Sequence, residues 1–164
     1  SGLLATPEDR TVSGRFAVEV EAFWFPNQVE GKNMMPGEAG WGITLSDASA
    51  DPGTQHRGEF LIRRDGMAAI RVFFRGDTTM MAEWKADSVI TPHDGENIIK
   101  YVLRVEHEHD GLSFKVNGSE VINMPVEHAP ETITPGLRVG PALNLHVSRF
   151  DLVTPLVPAK QSAE

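Results

Sequence analysis

Glu19 and Glu21 stand two residues apart in a stretch where Phe16, Val18, Val20, Ala22 and Trp24 alternate with Arg15, Ala17, Glu19 and Glu21. A two-residue period is that of a half-buried strand, so both carboxylates share one face. Paired carboxyl groups are what glycoside hydrolysis requires, about 5–5.5 Å apart for retention and wider for inversion. Phe23 takes the next position on that face, where a third acid would follow. The same two glutamates also suit an ordinary solvated strand face.

A second set suits binding without bond cleavage. Arg104, Glu106, Arg138, Asn144, His146 and Ser148 fall on the polar sides of later strands, and Glu19 and Glu21 join them if the terminal strands are neighbours. Planar donors and acceptors of this kind form directed hydrogen bonds to sugar hydroxyls. Trp41 and Trp84 are the tryptophans to test as stacking platforms for a sugar's apolar face, although each is in phase with apolar neighbours, as a core residue would be. A charged outer sheet with no ligand has the same composition. His107, His109 and Asp110 offer a partial metal set, but the histidines continue the apolar phase of Tyr101, Leu103 and Val105 and read as the rim of the core. Asp47 and Asp51 lie in or beside a polar loop without calcium-loop spacing. There is no cysteine, no Gly-x-Ser-x-Gly elbow and no phosphate-cradling glycine loop, and the sequence implies no cofactor.

The elements that must position these residues are strands. Residues 97–124 read as a meander: Tyr101, Leu103 and Val105 alternate with Val102, Arg104 and Glu106, Asp110-Gly111 interrupts, Leu112, Phe114 and Val116 resume, and Asn117-Gly118 interrupts again. Both interruptions are favoured pairs for two-residue type I′ turns. Residues 14–25, 40–46, 59–64, 67–75, 78–85, 136–140 and 143–153 supply further strands, with turns at Asp65-Gly66 and Gly76-Asp77. Gly40, Gly42, Thr44 and Ser46 leave one face of 40–46 almost bare, which marks a close approach by a backbone or ligand. In the last strand Phe150 and Leu152 are out of step with Leu143, Leu145 and Val147, so a β-bulge is expected near Ser148-Arg149. No helical period persists, and strands at this spacing predict an all-β, two-sheet antiparallel sandwich. Residues 1–13 form a lead-in, 14–153 the sandwich domain, and 154–164 a tail or linker.

At 164 residues and 40% apolar content the chain fits one domain with a sizeable core. A net charge of −8 repels a phosphate backbone unless basic residues cluster. Arg63, Arg64, Arg71 and Arg75 are close in sequence, but Glu59, Asp65 and Asp77 are interleaved with them and no nucleic-acid motif is present, so nucleic acid is not expected as a partner. No apolar run approaches the roughly 20 residues of a membrane helix. The absence of cysteine excludes disulfides without naming a compartment.

The order of Phe16-Ala-Val-Glu-Val-Glu-Ala, Gly40-Trp-Gly-Ile-Thr-Leu, Asn97-Ile-Ile-Lys-Tyr-Val-Leu-Arg-Val, Leu112-Ser-Phe-Lys-Val-Asn-Gly, Gly136-Leu-Arg-Val-Gly and Asn144-Leu-His-Val-Ser-Arg-Phe-Asp-Leu resembles the concanavalin A-like, laminin-G-like jelly rolls. It looks closest to the bacterial 3-keto-disaccharide hydrolase-like group. The resemblance covers residues 14–153 and implies a curved sandwich whose concave sheet meets carbohydrate, working in the periplasm or outside the cell, alone or beside further domains of a longer chain. Three functions follow as expectations: a glycan-binding module, a glycoside or keto-glycoside hydrolase using Glu19 and Glu21, or a structural and protein-interaction module.

Overall fold

The computed structural model describes residues 2–5, 15–26, 28–29, 32–33, 40–48, 51, 54–108, 111–125 and 133–153. Its strands form two antiparallel sheets and a small hairpin. One sheet has six strands in the order β1 (Gly2–Ala5), β12 (Ile133–Val139), β5 (Gly40–Asp47), β6 (Arg57–Arg63), β7 (Met67–Phe74), β8 (Asp77–Ala86). The other has five, in the order β11 (Ser119–Pro125), β10 (Gly111–Val116), β9 (Ile99–Glu108), β2 (Phe16–Phe25), β13 (Asn144–Val153). The hairpin pairs β3 (Gln28–Val29) with β4 (Lys32–Asn33). The all-β sandwich is therefore the architecture, and Gly2–Ala5 adds an edge strand beside β12 from within the expected lead-in.

Alternation builds the core. Phe16, Val18, Val20, Ala22 and Trp24 of β2 and Tyr101, Leu103 and Val105 of β9 are buried against Trp41, Ile43, Phe60, Ile62 and Ile70 of the six-stranded sheet. The rings of Phe60 and Phe114 meet edge-on at 5.9 Å and bridge the two layers. Trp41 is 0% exposed. It cannot serve as a stacking platform, because its side of β5 faces the opposing sheet.

Turn chemistry is read correctly in two hairpins and misplaced in two. The chain turns through Asp65 and Gly66 between β6 and β7, with the Gly66 N–H donating to the Arg63 carbonyl at 3.0 Å. Asn117 and Gly118 have φ of 49° and 83°, the double positive φ of a type I′ turn. Arg75 and Gly76 do the same at 50° and 87°, one residue earlier than the Gly76-Asp77 expectation. In the first hairpin of the meander Gly111 pairs with Glu108, so Gly111 begins β10 and does not close the turn. His107 accordingly faces Leu112, and its ring lies 5.2 Å from that of Phe16 at the rim of the core. His109 and Asp110 lie outside the described residues. The expected bulge is present, as a register shift between Val147 and Arg149.

The segment between β8 and β9 closes one end of the sandwich. Ile90 and His93 are buried in it. His93 Nδ1 accepts the Gly95 N–H at 2.9 Å, so Nε2 carries the proton and donates to the Trp24 carbonyl at 3.2 Å. Tyr101 donates its hydroxyl to the Thr91 carbonyl at 2.8 Å, and burial pushes its pKa up to about 12. Asp94 turns the chain by accepting the N–H groups of Asn97 and Glu96, which hold its pKa down to about 2.

Gly42 explains the bare face of β5. A Cβ there would sit 1.8 Å from the Phe60 carbonyl oxygen, so the backbone of β6 occupies the space a side chain would need. Gly42→Ala is expected to cost about 3 kcal/mol or more in urea denaturation, whereas Gly76→Ala, with nothing within 4 Å of its Cβ, costs only about 1 kcal/mol for its positive φ. Asp94 gives a pH signature. Its folded pKa lies below the usual carboxylate value, so its contribution is present at neutral pH and fades as pH falls from about 4 towards 2. Asp94→Asn should flatten that part of the stability profile; an unchanged profile would contradict the assignment.

Candidate functional site

The candidate residues divide between two outer faces. The strand order β9-β2-β13 places Glu19, Glu21, Arg104, Glu106, Asn144 and His146 together on the exposed side of the five-stranded sheet, as the neighbouring of the terminal strands requires. A ladder of ion pairs crosses that side. Asp151 pairs with Arg149, Arg149 Nη2 lies 2.8 Å from Glu19 Oε1, Glu19 Oε2 3.2 Å from Arg104 Nη1, Arg104 Nε 2.6 Å from Glu106 Oε1, and Glu106 Oε2 3.0 Å from Lys115 Nζ. Glu21 accepts from Ser148 Oγ at 2.9 Å and lies 3.3 Å from Lys100 Nζ. Partly exposed pairs of this kind contribute up to about 1 kcal/mol each.

This arrangement does not divide the two glutamates into acid and base. The Ser148 hydrogen bond, then Lys100, holds the Glu21 carboxyl below its ordinary range, whereas a general acid needs its pKa raised. A shallow cleft of about 520 Å³ lies beside the ladder, lined by Glu106, Ser113, Lys115, Glu120 and Asn123 among others. Asn144 and His146 are exposed at the other end of the face, opposite Phe25 and Phe23.

Arg138 and Trp84 belong to the other sheet, and Arg138 points to a different cluster. Glu59 of β6 is 1% exposed on the outer side of the six-stranded sheet. Its partner across β5 is Thr44, and across β7 it is Arg71. Arg71 Nε lies 3.2 Å from Glu59 Oε1, Arg138 Nη1 3.1 Å from Oε2, and Arg57 Nη2 3.9 Å from Oε1. Arg138 reaches across because its neighbour in the register is Gly42, and Thr44 is flanked by Gly136. Small residues on β5 and β12 thus clear the way for long side chains to converge on β6.

Two ring contacts extend the cluster along the same strand face. The Arg57 guanidinium lies 4.6 Å over the Phe73 ring, and that of Arg63 4.5 Å over the ring of Trp84. Arg63 also forks onto Asp65, at 2.9 and 2.6 Å. The centre of the face is closed, since Thr44, Leu61 and Ala69 point the same way and are buried. Access is past the arginines, whose side chains are 20%, 23% and 26% exposed at Arg57, Arg71 and Arg138. Arg57 Nε and Glu59 Oε2 are buried without an aligned hydrogen bond. Among the described residues no group of three or more metal-ligating side chains comes together.

Sequence reasoning missed Glu59, Arg57 and Arg71. The available signal was the alternation of Arg57, Glu59 and Arg63 with Phe60 and Ile62, which puts the charges on the outer phase of a strand next to a bare one. Weighing the basic residues only as a nucleic-acid patch passed over it.

No family model matches the chain, and no curated protein does. Solved structures share its fold. Sheep galectin-11, in a complex with glycerol, superposes with a TM-score of 0.59 at 11% identity, over 88% of this chain and 95% of that one. The carbohydrate binding module CBM66 from Bacillus subtilis gives 0.61 at 18% identity, over 88% and 77%. CG-16, a homodimeric agglutinin from chicken liver, gives 0.59 at 15%, over 92% and 98%. At these identities the likeness establishes a jelly-roll β-sandwich; the 3-keto-disaccharide hydrolase-like group is not among the structures named.

The two faces differ in what a charge removal should cost. Glu59→Gln leaves three guanidiniums around a neutral amide and is expected to lose about 3 kcal/mol or more. Glu19→Gln, in the solvated ladder, should lose less than about 1 kcal/mol. Urea denaturation of both variants checks this, and equal losses would contradict the distinction.

Proposed function

We propose that the chain is a glycan-binding β-sandwich module that holds a saccharide without cleaving it, on the outer face of the six-stranded sheet around Glu59, Arg71 and Arg138. In this reading that sheet is the concave one of the jelly-roll resemblance. The observation that carries the proposal is the buried Glu59 carboxylate with Arg71 and Arg138 at 3.2 and 3.1 Å. It fixes two planar guanidiniums at the surface with N–H groups to spare, and preorganised donors of this geometry bind sugar hydroxyls at little entropic cost. Trp84, held under Arg63, adds an aromatic edge to the same sheet.

The fold likeness to galectins, an agglutinin and a carbohydrate binding module supports the same reading. Hydrolysis has less support. Glu59 has no second described carboxylate beside it in its ion-pair cluster, and Glu19 and Glu21 are tied into cation contacts. A periplasmic or extracellular setting, where glycans are met, accords with this function.

Calorimetric titration of an oligosaccharide panel tests the proposal. Saturable binding is expected, with no product on long incubation. Arg138→Ala should weaken it at least about tenfold, a loss of about 1.4 kcal/mol, while Glu19→Gln and Glu21→Gln leave it unchanged. Released product that disappears in Glu21→Gln would establish the hydrolase instead, and a panel without any binder would leave the structural module.

A further inference from the structure

The cluster on the six-stranded sheet carries more positive charge than its own acid neutralises. Arg57, Arg71 and Arg138 converge on Glu59 alone, and each meets no other acceptor among the described residues. Arg71 donates its Nε to Glu59 and Arg138 brings its Nη1 within 3.1 Å of it, so further N–H groups of both, on side chains about a quarter exposed, have no acceptor among the described residues. Three cations around one anion leave a net charge of +2 at this spot, in a chain whose total is −8. Like charges held together and partly withdrawn from water repel one another more strongly than they would in bulk solvent. The buried Nε of Arg57 adds a donor that has no hydrogen-bond acceptor among the described residues.

A neutral sugar would satisfy donors but leave the charge. A carboxylate does both, because its two oxygens match the fork of a guanidinium. Resting on the glycan-binding reading above, we propose that the saccharide this site takes is acidic: its sugar ring carries a carboxylate, as in a hexuronic acid, which lies between Arg71 and Arg138. Glu59 is then the positioning residue. It touches no ligand but orients both guanidiniums, and its single charge leaves room for a second anion among three cations. On the opposite face Lys100, Arg104, Lys115 and Arg149 are each already matched by Glu19, Glu21, Glu106 or Asp151.

The test compares hexuronate disaccharides with the same disaccharides after reduction of the carboxyl to a primary alcohol, by titration calorimetry on the whole chain. The acid forms are expected to bind at least about tenfold tighter, with a preference that shrinks as salt is raised. Arg138→Gln and Arg71→Gln, which each leave Glu59 two cations, should bring the acid and alcohol forms to equal affinity. Circular dichroism confirms that these variants are folded, and Arg138→Lys, should either glutamine variant fail to fold, keeps the charge while removing the fork and is expected to lose most of the preference. Equal affinity for both forms in the unaltered protein overturns the acidic specificity and leaves glycan binding standing. Binding of sulfated but not carboxylated disaccharides overturns the carboxylate assignment. Absence of binding to any saccharide overturns both.

Discussion

A carboxylate withdrawn from water must be matched by cations, and the Glu59 cluster shows what that requirement does to a sheet. The charge sits at 1% exposure, where an unpaired ion would be prohibitively costly. Three arginines answer it, from β6 itself, from β7 and from β12. Arg138 can do so only because β5, between β6 and β12, is stripped to glycine, threonine and serine on that side. Gly42 also lets the β6 backbone come close enough that no Cβ fits. Strand order, side-chain size and charge therefore depend on one another at this point.

The two outer faces use charge in opposite ways. On the five-stranded sheet acids and bases alternate, every carboxylate stays partly exposed, and the ladder neutralises itself. On the six-stranded sheet the charge is concentrated, partly desolvated and unbalanced, and its guanidiniums retain unused donors. Unmet hydrogen-bonding capacity held rigidly at a surface is a property of binding sites. Self-satisfied ladders are a property of soluble sheets. This contrast, more than the number of polar residues on either face, locates the candidate site.

The fold was legible from local signals. Alternation in β2, β9 and β13, the Asn117-Gly118 turn and the bulge at Val147–Arg149 are each determined by a few neighbouring residues, and each appears as the sequence predicts. Turn placement failed where the favoured pair serves a different purpose. Gly111 is a glycine because a Cβ would lie 2.8 Å from the Met124 carbonyl oxygen of β11, not because it closes a hairpin. The site was less legible, because it is made by strand order. Arg138 and Trp84 were identifiable as candidates, but nothing local reveals that β12 lies across β5 from β6, and so brings Arg138 to a glutamate 79 positions earlier (138 − 59). Trp41 and Trp84 look alike in sequence and separate only when β5 proves to be interior and β8 an edge.

The central claim is that ligand recognition resides on the six-stranded sheet. Amide and guanidinium chemical-shift mapping during titration with a bound saccharide tests it most directly. The account predicts that perturbations cluster on Thr44, Glu59, Arg71, Gly136 and Arg138, with Glu19, Arg104 and Asn144 silent. Perturbations confined to Glu19, Glu21, Arg104 and Asn144 would contradict it and move recognition to the five-stranded face.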